Sequence, residues 1–450
     1  MQIFDIKEYP FELFDGKIIR KLSNSNINTK SRGKFKPAPN LEKDEVKKIL
    51  MEKIAEESKV IVESSDEELL SQVDFRVDKF NVVSLFSGCG GLDLGFELAG
   101  LSEVIGEEAA MEAFKDKELF NRVRHQSVFH TIYTNDLFKE ANQTYKLNFP
   151  EHVVQHEKDI KKVANFPLCN IMLGGFPCPG FSEAGPRLVD DERNFLYLHF
   201  IRALLQTQPE FFIAENVKGM MTLGQGEVLS QIIEDFSSTG YKVTPYLVNA
   251  RDFGVPQFRE RVFLVGVHKD KIIKKHNFKY PEPKPIYGEG IGLKPYVTLK
   301  DAIGDLENNP GPYFTGSYST IYKSRNRKKQ WNDQSFTIQA SGRQAPMHPG
   351  GDKMVKIDKN RWGFVGEYNR RLSVKEISRI QTFPDWFTFM DGGNLKISVN
   401  GRLDKIYKQI GNAVPVILAK EIARPIAEFS YNQLKNKKES ERLYVQTSLF

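Results

Sequence analysis

Cysteine is scarce. The 450 residues hold three, Cys89, Cys169 and Cys178, too few for a disulfide framework and without the paired Cys-x-x-Cys and histidine spacing that holds zinc. A reducing, cytoplasmic setting and no metal are expected. Long apolar runs are missing as well: none approaches the roughly 18 residues of a membrane span. The first residues, Met-Gln-Ile-Phe-Asp-Ile-Lys-Glu, lack a basic region followed by an apolar one, so a soluble, unexported protein without a membrane partner is expected. None of the eight histidines sits in a strand-end motif, which argues against a cysteine hydrolase. A strong net charge is lacking too, at +6 overall. The charge is uneven, however: residues 267–369 hold 18 Lys and Arg against 10 Asp and Glu, which leaves −2 for the remainder. A basic excess confined to one segment points to a polyanion bound there, although a solvated basic face is common. Because single cores stop growing at roughly 250 to 300 residues, a second unit is expected.

What is present clusters at strand ends. Val82-Val-Ser-Leu-Phe86-Ser-Gly88-Cys-Gly90-Gly91-Leu92 reads as a β-branched strand running into a glycine turn and out into a helix. Its spacing misses both the dinucleotide fingerprint and the phosphate-binding P-loop. Thr131-Ile-Tyr-Thr-Asn135-Asp136 is a strand ending in an acid of the kind that accepts hydrogen bonds from ribose hydroxyls, and His152 to Asp159-Ile160 repeats it. Asn170-Ile-Met-Leu-Gly174 empties into Gly-Phe-Pro-Cys178-Pro-Gly-Phe-Ser182, where prolines on both sides stiffen the turn that carries the thiol. Such a turn suits a nucleophile that meets its target at a fixed angle. Glu210 to Val217 is a buried strand ending in Glu215, and Lys242–Val248 pairs with Val262–Val267, bringing Arg259 and Arg261 toward the same rim. In a doubly wound α/β sheet these ends share one edge, where ligands bind. A helix is expected over 41–54 behind Asn40, another through Leu205 opened by Asp190–Asn194, and a capping box at Ser373-Val-Lys-Glu376 opens a third that Pro384 closes. The expected division is an extension at 1–80, a catalytic and cofactor-binding domain at 81–267, an irregular domain at 268–369, and a segment at 370–450 returning to the first.

Taken together and in order, these motifs resemble the DNA cytosine-5 methyltransferases. The match runs from Val82 to about Ala427 and rests on the Phe-Ser-Gly-Cys-Gly-Gly and Pro-Cys-Pro-Gly-Phe-Ser loops, Glu215-Asn216-Val217, Gln257-Phe-Arg259-Glu-Arg261, Arg371-Leu-Ser-Val-Lys-Glu-Ile and Ile410-Gly-Asn-Ala-Val-Pro. The family more often carries Gln where Pro179 stands, and an aromatic where Leu137 stands. The resemblance implies a Rossmann-like methyltransferase sheet with a smaller target-recognition domain, and S-adenosylmethionine held by Phe86, Gly88, Gly90, Gly91, Leu92, Asp136, Asp159, Ile160 and Asn412. It implies Cys178 as the nucleophile toward carbon 6 of cytosine, Glu215 at nitrogen 3, and Arg261 with Arg259 at the carbonyl oxygen. The implied partner is double-stranded DNA with the target base flipped out. Tyr313 to Tyr322 and Ser335 to Gln344 look like the recognition segment of bacterial restriction-modification methylases acting at GGCC or GGNCC, which implies functional pairing with a restriction endonuclease. A monomer is expected. Within the basic segment, Arg325 and Arg327 are expected to bind DNA, Lys328 and Lys329 suit phosphate contact, and Arg343, in a glycine-flexed loop, suits a guanine edge. The rival reading of the same fold is an RNA cytosine methyltransferase; a nicotinamide or flavin oxidoreductase leaves Cys178 and Arg259 unexplained.

Overall fold

The computed structural model describes residue 48 and residues 64–177, 196–222 and 227–447. Cys178 and Pro179 lie outside the described residues, as do Asp190–Asn194 and, apart from Lys48, the helix expected over 41–54.

Seven strands form one sheet in the order β3-β2-β1-β4-β5-β7-β6. They are β1 (Phe80–Leu85), β2 (Phe129–Asn135), β3 (Val154–His156), β4 (Ile171–Gly174), β5 (Phe211–Val217), β6 (Tyr241–Asn249) and β7 (Glu260–His268). The first five run parallel, whereas β7 inserts antiparallel between β5 and β6. The apolar runs read from the sequence have a simple cause: both faces are covered, so alternate residues of one strand enter different cores. Ile171, Leu173, Phe211 and Ile213 pack with Leu418, Ile422 and Ile426 of the last helix, Val416–Thr447. Met172 and Phe212 pack on the other side with Tyr197, Phe200 and Ile201 of the helix Tyr197–Thr207. The crossover order reverses between β1 and β4, which opens a crevice at the carboxyl ends of the strands.

The stretch 268–369 is irregular, with short helical turns and one hairpin, β8 (Val355–Asp358) with β9 (Arg361–Gly363). Its core crosses the expected boundary at 369/370: Leu299, Ile303, Phe314 and Ile338 share a cluster with Leu372, Ile377, Tyr407 and Ile410. The capping box forms as expected, with Ser373 and Glu376 each satisfying the other's amide, and opens the helix Val374–Ile380.

Candidate active site

Across the carboxyl rim the strand ends present, in spatial order, Asp159 beyond β3, Asp136 beyond β2, Phe86 beyond β1, Gly174 and Gly175 at β4, and Glu215 in β5. Because β7 runs the other way, its beginning, with Arg261, falls on this same rim. The glycine turn is tied to the neighbouring strand end. Gly88 N–H donates to Asp136 Oδ2 at 2.8 Å, and Phe138 N–H donates to Oδ1 at 2.7 Å. Burial raises the Asp136 pKa, and the amides of Phe138, Gly88 and Leu137 pull it back. Phe86 adopts φ 55, a left-handed conformation uncommon for an aromatic residue, at the mouth of the crevice.

The glycines of this turn are not equivalent. A Cβ at Gly90 would fall on the Phe149 and Tyr145 rings, and one at Gly91 would sit 2.5 Å from the Val414 carbonyl, so both serve packing. A Cβ at Gly88 would meet nothing within 4 Å, which leaves its side of the loop open to a ligand. The following helix, Gly91–Ile105, starts at this point with its first amides unpaired within the helix, a feature that favours a negatively charged group. The Leu92 side chain lies in the core. Asp159 caps the turn Ile160–Lys162 by accepting from Lys161 N–H at 3.0 Å. Ile160 is buried and Asn412 is exposed at the end of the helix Val399–Asn412.

At the other half of the rim, Arg261 Nε donates to Glu215 Oε1 at 2.9 Å, both side chains being 11–13% exposed. Burial lowers the Arg261 pKa, and the Glu215 carboxylate offsets this. A Cβ at Gly175 would lie 3.6 Å from Glu215 Oε2, so the strand β4 exit runs past this carboxylate. Asn216 Nδ2 donates to the Phe176 carbonyl at 3.1 Å, and Phe176 is buried among Tyr197, Phe200 and Phe236. The approach to Cys178 is therefore fixed two residues before the thiol. The other two cysteines are core residues whose thiols burial pushes up to about 12, far from the thiolate state.

Arg259 is a correction to the expected catalytic set. Its guanidinium is buried and donates to the carbonyls of Ile338 at 3.3 Å, Gly411 at 2.9 Å and Ala413 at 3.1 Å. It joins three distant segments. Gln257 and Gln381, which sequence reasoning passed over, extend the joint: Gln257 accepts from Ile338 N–H at 2.8 Å and donates to Gln381 Oε1 at 2.9 Å, while Gln381 donates to the Ile410 carbonyl at 2.7 Å. A Cβ at Gly411 would fall on the Gln339 carbonyl, so only glycine lets the two backbones meet. The segment Ser335–Gln344 is further zipped to the strand entry by Phe258 N–H to Ser335 O and Ser335 N–H to Pro256 O, each 2.9 Å.

Two of the expected DNA-facing cations are corrections too. Arg327 is buried, stacked on Tyr322 with Nη2 on Gln344 Oε1, and Lys328 is 3% exposed with Nζ 3.4 Å from the Tyr368 carbonyl. They hold the domain together because their aliphatic stems fill its interior. Arg325 and Arg343 are exposed, and Lys329 is half-buried over the Phe336 ring. The loop carrying Arg343 is held by Asp404, which accepts from Ser341 Oγ and Gly342 N–H. Beneath it, buried Arg371 lies 4.2 Å from the Tyr318 ring and donates to the carbonyls of Arg343, Gly316 and Ser317. In the sequence Arg371 stands out only as the first residue of the Arg371-Leu-Ser-Val-Lys-Glu-Ile motif and by its place ahead of the capping box. Among the described residues no cluster of three His, Cys, Asp or Glu could hold a metal, and no helix is long and apolar enough to cross a membrane.

The crystal structure of a prophage-encoded E. coli protein matches with a TM-score of 0.52 at 23% identity, covering 79% of this chain and 100% of that one, a likeness of fold alone. Type II methyltransferase M.BsuRI of Bacillus subtilis is 68% identical over 413 residues, covering 91% of this chain and 94% of its own. Type II methyltransferase M.BspRI of Lysinibacillus sphaericus is 64% identical over 412 residues, covering 91% and 96%. Residues 80–428 match the family described as C-5 cytosine-specific DNA methylase, and with such relatives the chain belongs to that family.

Proposed function

We propose that the protein transfers a methyl group from S-adenosylmethionine to carbon 5 of a cytosine in a short duplex DNA site of the GGCC or GGNCC type, and so protects host DNA from a partner restriction endonuclease. The observation that carries this reading is the rim: a glycine turn bound to Asp136 on one half, and the Glu215–Arg261 pair beside the β4 exit on the other. The Type II relatives support the restriction-modification setting.

The residues present fit the cofactor. Asp136 keeps carboxylate lone pairs for ribose hydroxyls, Phe86 offers a face to the adenine, Gly88 leaves space, and the amino end of the helix Gly91–Ile105 suits a carboxylate. When bound, S-adenosylmethionine supplies an electrophilic methyl on a sulfonium. The target base leaves the duplex, since carbon 6 is closed to attack within the stack. Cys178 adds its thiolate to carbon 6, forming a C–S bond and loading electron density onto carbon 5. Glu215 meets nitrogen 3, and Arg261 next to it favours the negative charge that develops at the carbonyl oxygen. After carbon 5 is methylated, its proton leaves to a base, the C–S bond breaks and Cys178 is released as thiolate. The Ser335–Gln344 segment, bonded to Pro256–Phe258, connects the DNA-reading region to the Arg261 strand.

Bisulfite sequencing of DNA from a host expressing the gene tests this. Methylcytosine is expected at one position of each GGCC or GGNCC site and nowhere else. Methylation at unrelated sites refutes the assigned sequence, and its complete absence refutes the activity. Cys178→Ala should retain less than about a tenth of wild-type turnover while still binding DNA.

A further inference from the structure

The helix Ser64–Ser71 precedes the family match, which begins at residue 80, yet it reaches the cofactor half of the rim. Leu69, Leu70 and Val73 pack against the core on the side of β3. Asp66 is buried there, 6% exposed, and accepts from Lys158 Nζ at 3.0 and 2.9 Å. His156 Nε2 lies 3.3 Å from the same carboxylate, while His156 Nδ1 faces the Tyr133 hydroxyl at 2.8 Å. A carboxylate only accepts, so Nε2 carries the proton and Nδ1 accepts from Tyr133. From beneath, Asn135 Nδ2 donates to the carbonyls of His156 and Lys158, each at 2.8 Å. The three residues before Asp159 are thus clamped from below by Asn135 at the end of β2, next to Asp136, and from outside by Asp66. Beyond Asp159, Arg202 Nη2 holds the Ile160 carbonyl at 2.8 Å.

From this geometry we propose that Asp66 is a positioning residue for the cofactor: the amino-terminal helix sets the His156–Asp159 loop and thereby the affinity for S-adenosylmethionine. The inference rests on the cofactor reading above, with Asp159 as part of that site. An unpaired buried carboxylate is costly, so the Asp66 clamp is satisfied only when Lys158 and His156 stand where they do, and this couples helix docking to loop position. Asp66 pairs with His156 and Lys158 and not with the Glu215–Arg261 half of the rim.

The test uses the full-length protein with calorimetric binding of S-adenosylhomocysteine, steady-state methylation and DNA binding. Asp66→Asn should raise the dissociation constant and the KM for S-adenosylmethionine about five- to tenfold, with kcat and DNA affinity within about twofold of wild type. Lys158→Met, which spares the buried carboxylate's contact with His156, should shift the same two constants in the same direction. The double variant should add little to either, because both act through one contact. Glu67→Gln, exposed on the same helix, should change nothing. An unchanged cofactor dissociation constant in Asp66→Asn and Lys158→Met, or a loss confined to kcat, overturns the proposal. Failure of the wild type itself to bind S-adenosylhomocysteine would instead overturn the cofactor reading beneath it.

Discussion

Replacing Arg259 by methionine keeps the unbranched stem and removes the guanidinium, which tests what the buried donors contribute. Three carbonyls, on Ile338, Gly411 and Ala413, lose donors at 3.3, 2.9 and 3.1 Å, in a site that water does not reach. The Ala413 carbonyl keeps Gln381 Nε2 at 3.2 Å; a buried acceptor left without a donor costs about 1–3 kcal/mol, so the other two set an upper limit near about 6 kcal/mol. Against this, burial and the like charge of Arg261 both disfavour the Arg259 cation, with Glu215 only partly offsetting them, and removing it relieves that cost. A net loss of about 3–5 kcal/mol follows. Arg259→Lys keeps the charge but cannot fork toward three carbonyls, so it should recover roughly half. Urea unfolding followed by intrinsic fluorescence reads both losses, and turnover should fall in proportion to the folded fraction. An Arg259→Met protein that unfolds at the wild-type urea concentration yet has lost turnover would place this guanidinium in the chemical step and refute the joint.

Glu215→Gln should lower turnover more than about tenfold with DNA affinity little changed, since an amide bonds the base but donates a proton poorly; equal losses in both would make the Arg261 pair structural. Lys328→Ala should cost about 1–2 kcal/mol of stability without flattening the salt dependence of DNA binding, whereas Arg343→Ala should cost about 1–3 kcal/mol on the cognate site and leave melting unchanged. A reversed pattern in melting and salt titration would restore Lys328 to the phosphate contacts. Asp235, buried with Gln231 and Tyr197 as donors, has its pKa pushed up by burial to about 7. The folded state therefore holds an extra proton between about pH 4 and about pH 7, and wild-type stability falls as pH rises through that window. Asp235→Asn should gain relative to wild type from about pH 4 to about pH 7, by at most about 4 kcal/mol, because each decade of proton affinity is worth about 1.4 kcal/mol; a flat difference in melting temperature across that range refutes it.

The rim was legible in the chain because its signals are local. A strand that must end at a glycine turn or at an acid shows its period and its punctuation within ten or so residues, and Phe86, Asp136, Asp159 and Glu215 were each read that way. Parallel order then requires those ends to share an edge, so their convergence followed from fold class alone. The capping box at Ser373 and Glu376 was legible for the same reason, since both partners lie within one helical turn. What the tertiary structure decided is which cations face outward. Arg259 and Arg261 are two residues apart in β7 or its entry, yet one joins Ile338, Gly411 and Ala413 while the other meets Glu215. Lys328 and Lys329 are neighbours, and one is buried while the other rests on an aromatic ring. Apart from Phe336, which lies close to Lys329 in the chain, their partners come from 40 to 154 residues away, and no short window of sequence holds both halves of such a contact. The same holds for Asp66, whose function depends on Lys158, 92 positions later. Composition placed a basic excess in one segment; only packing determined that part of it is spent inside.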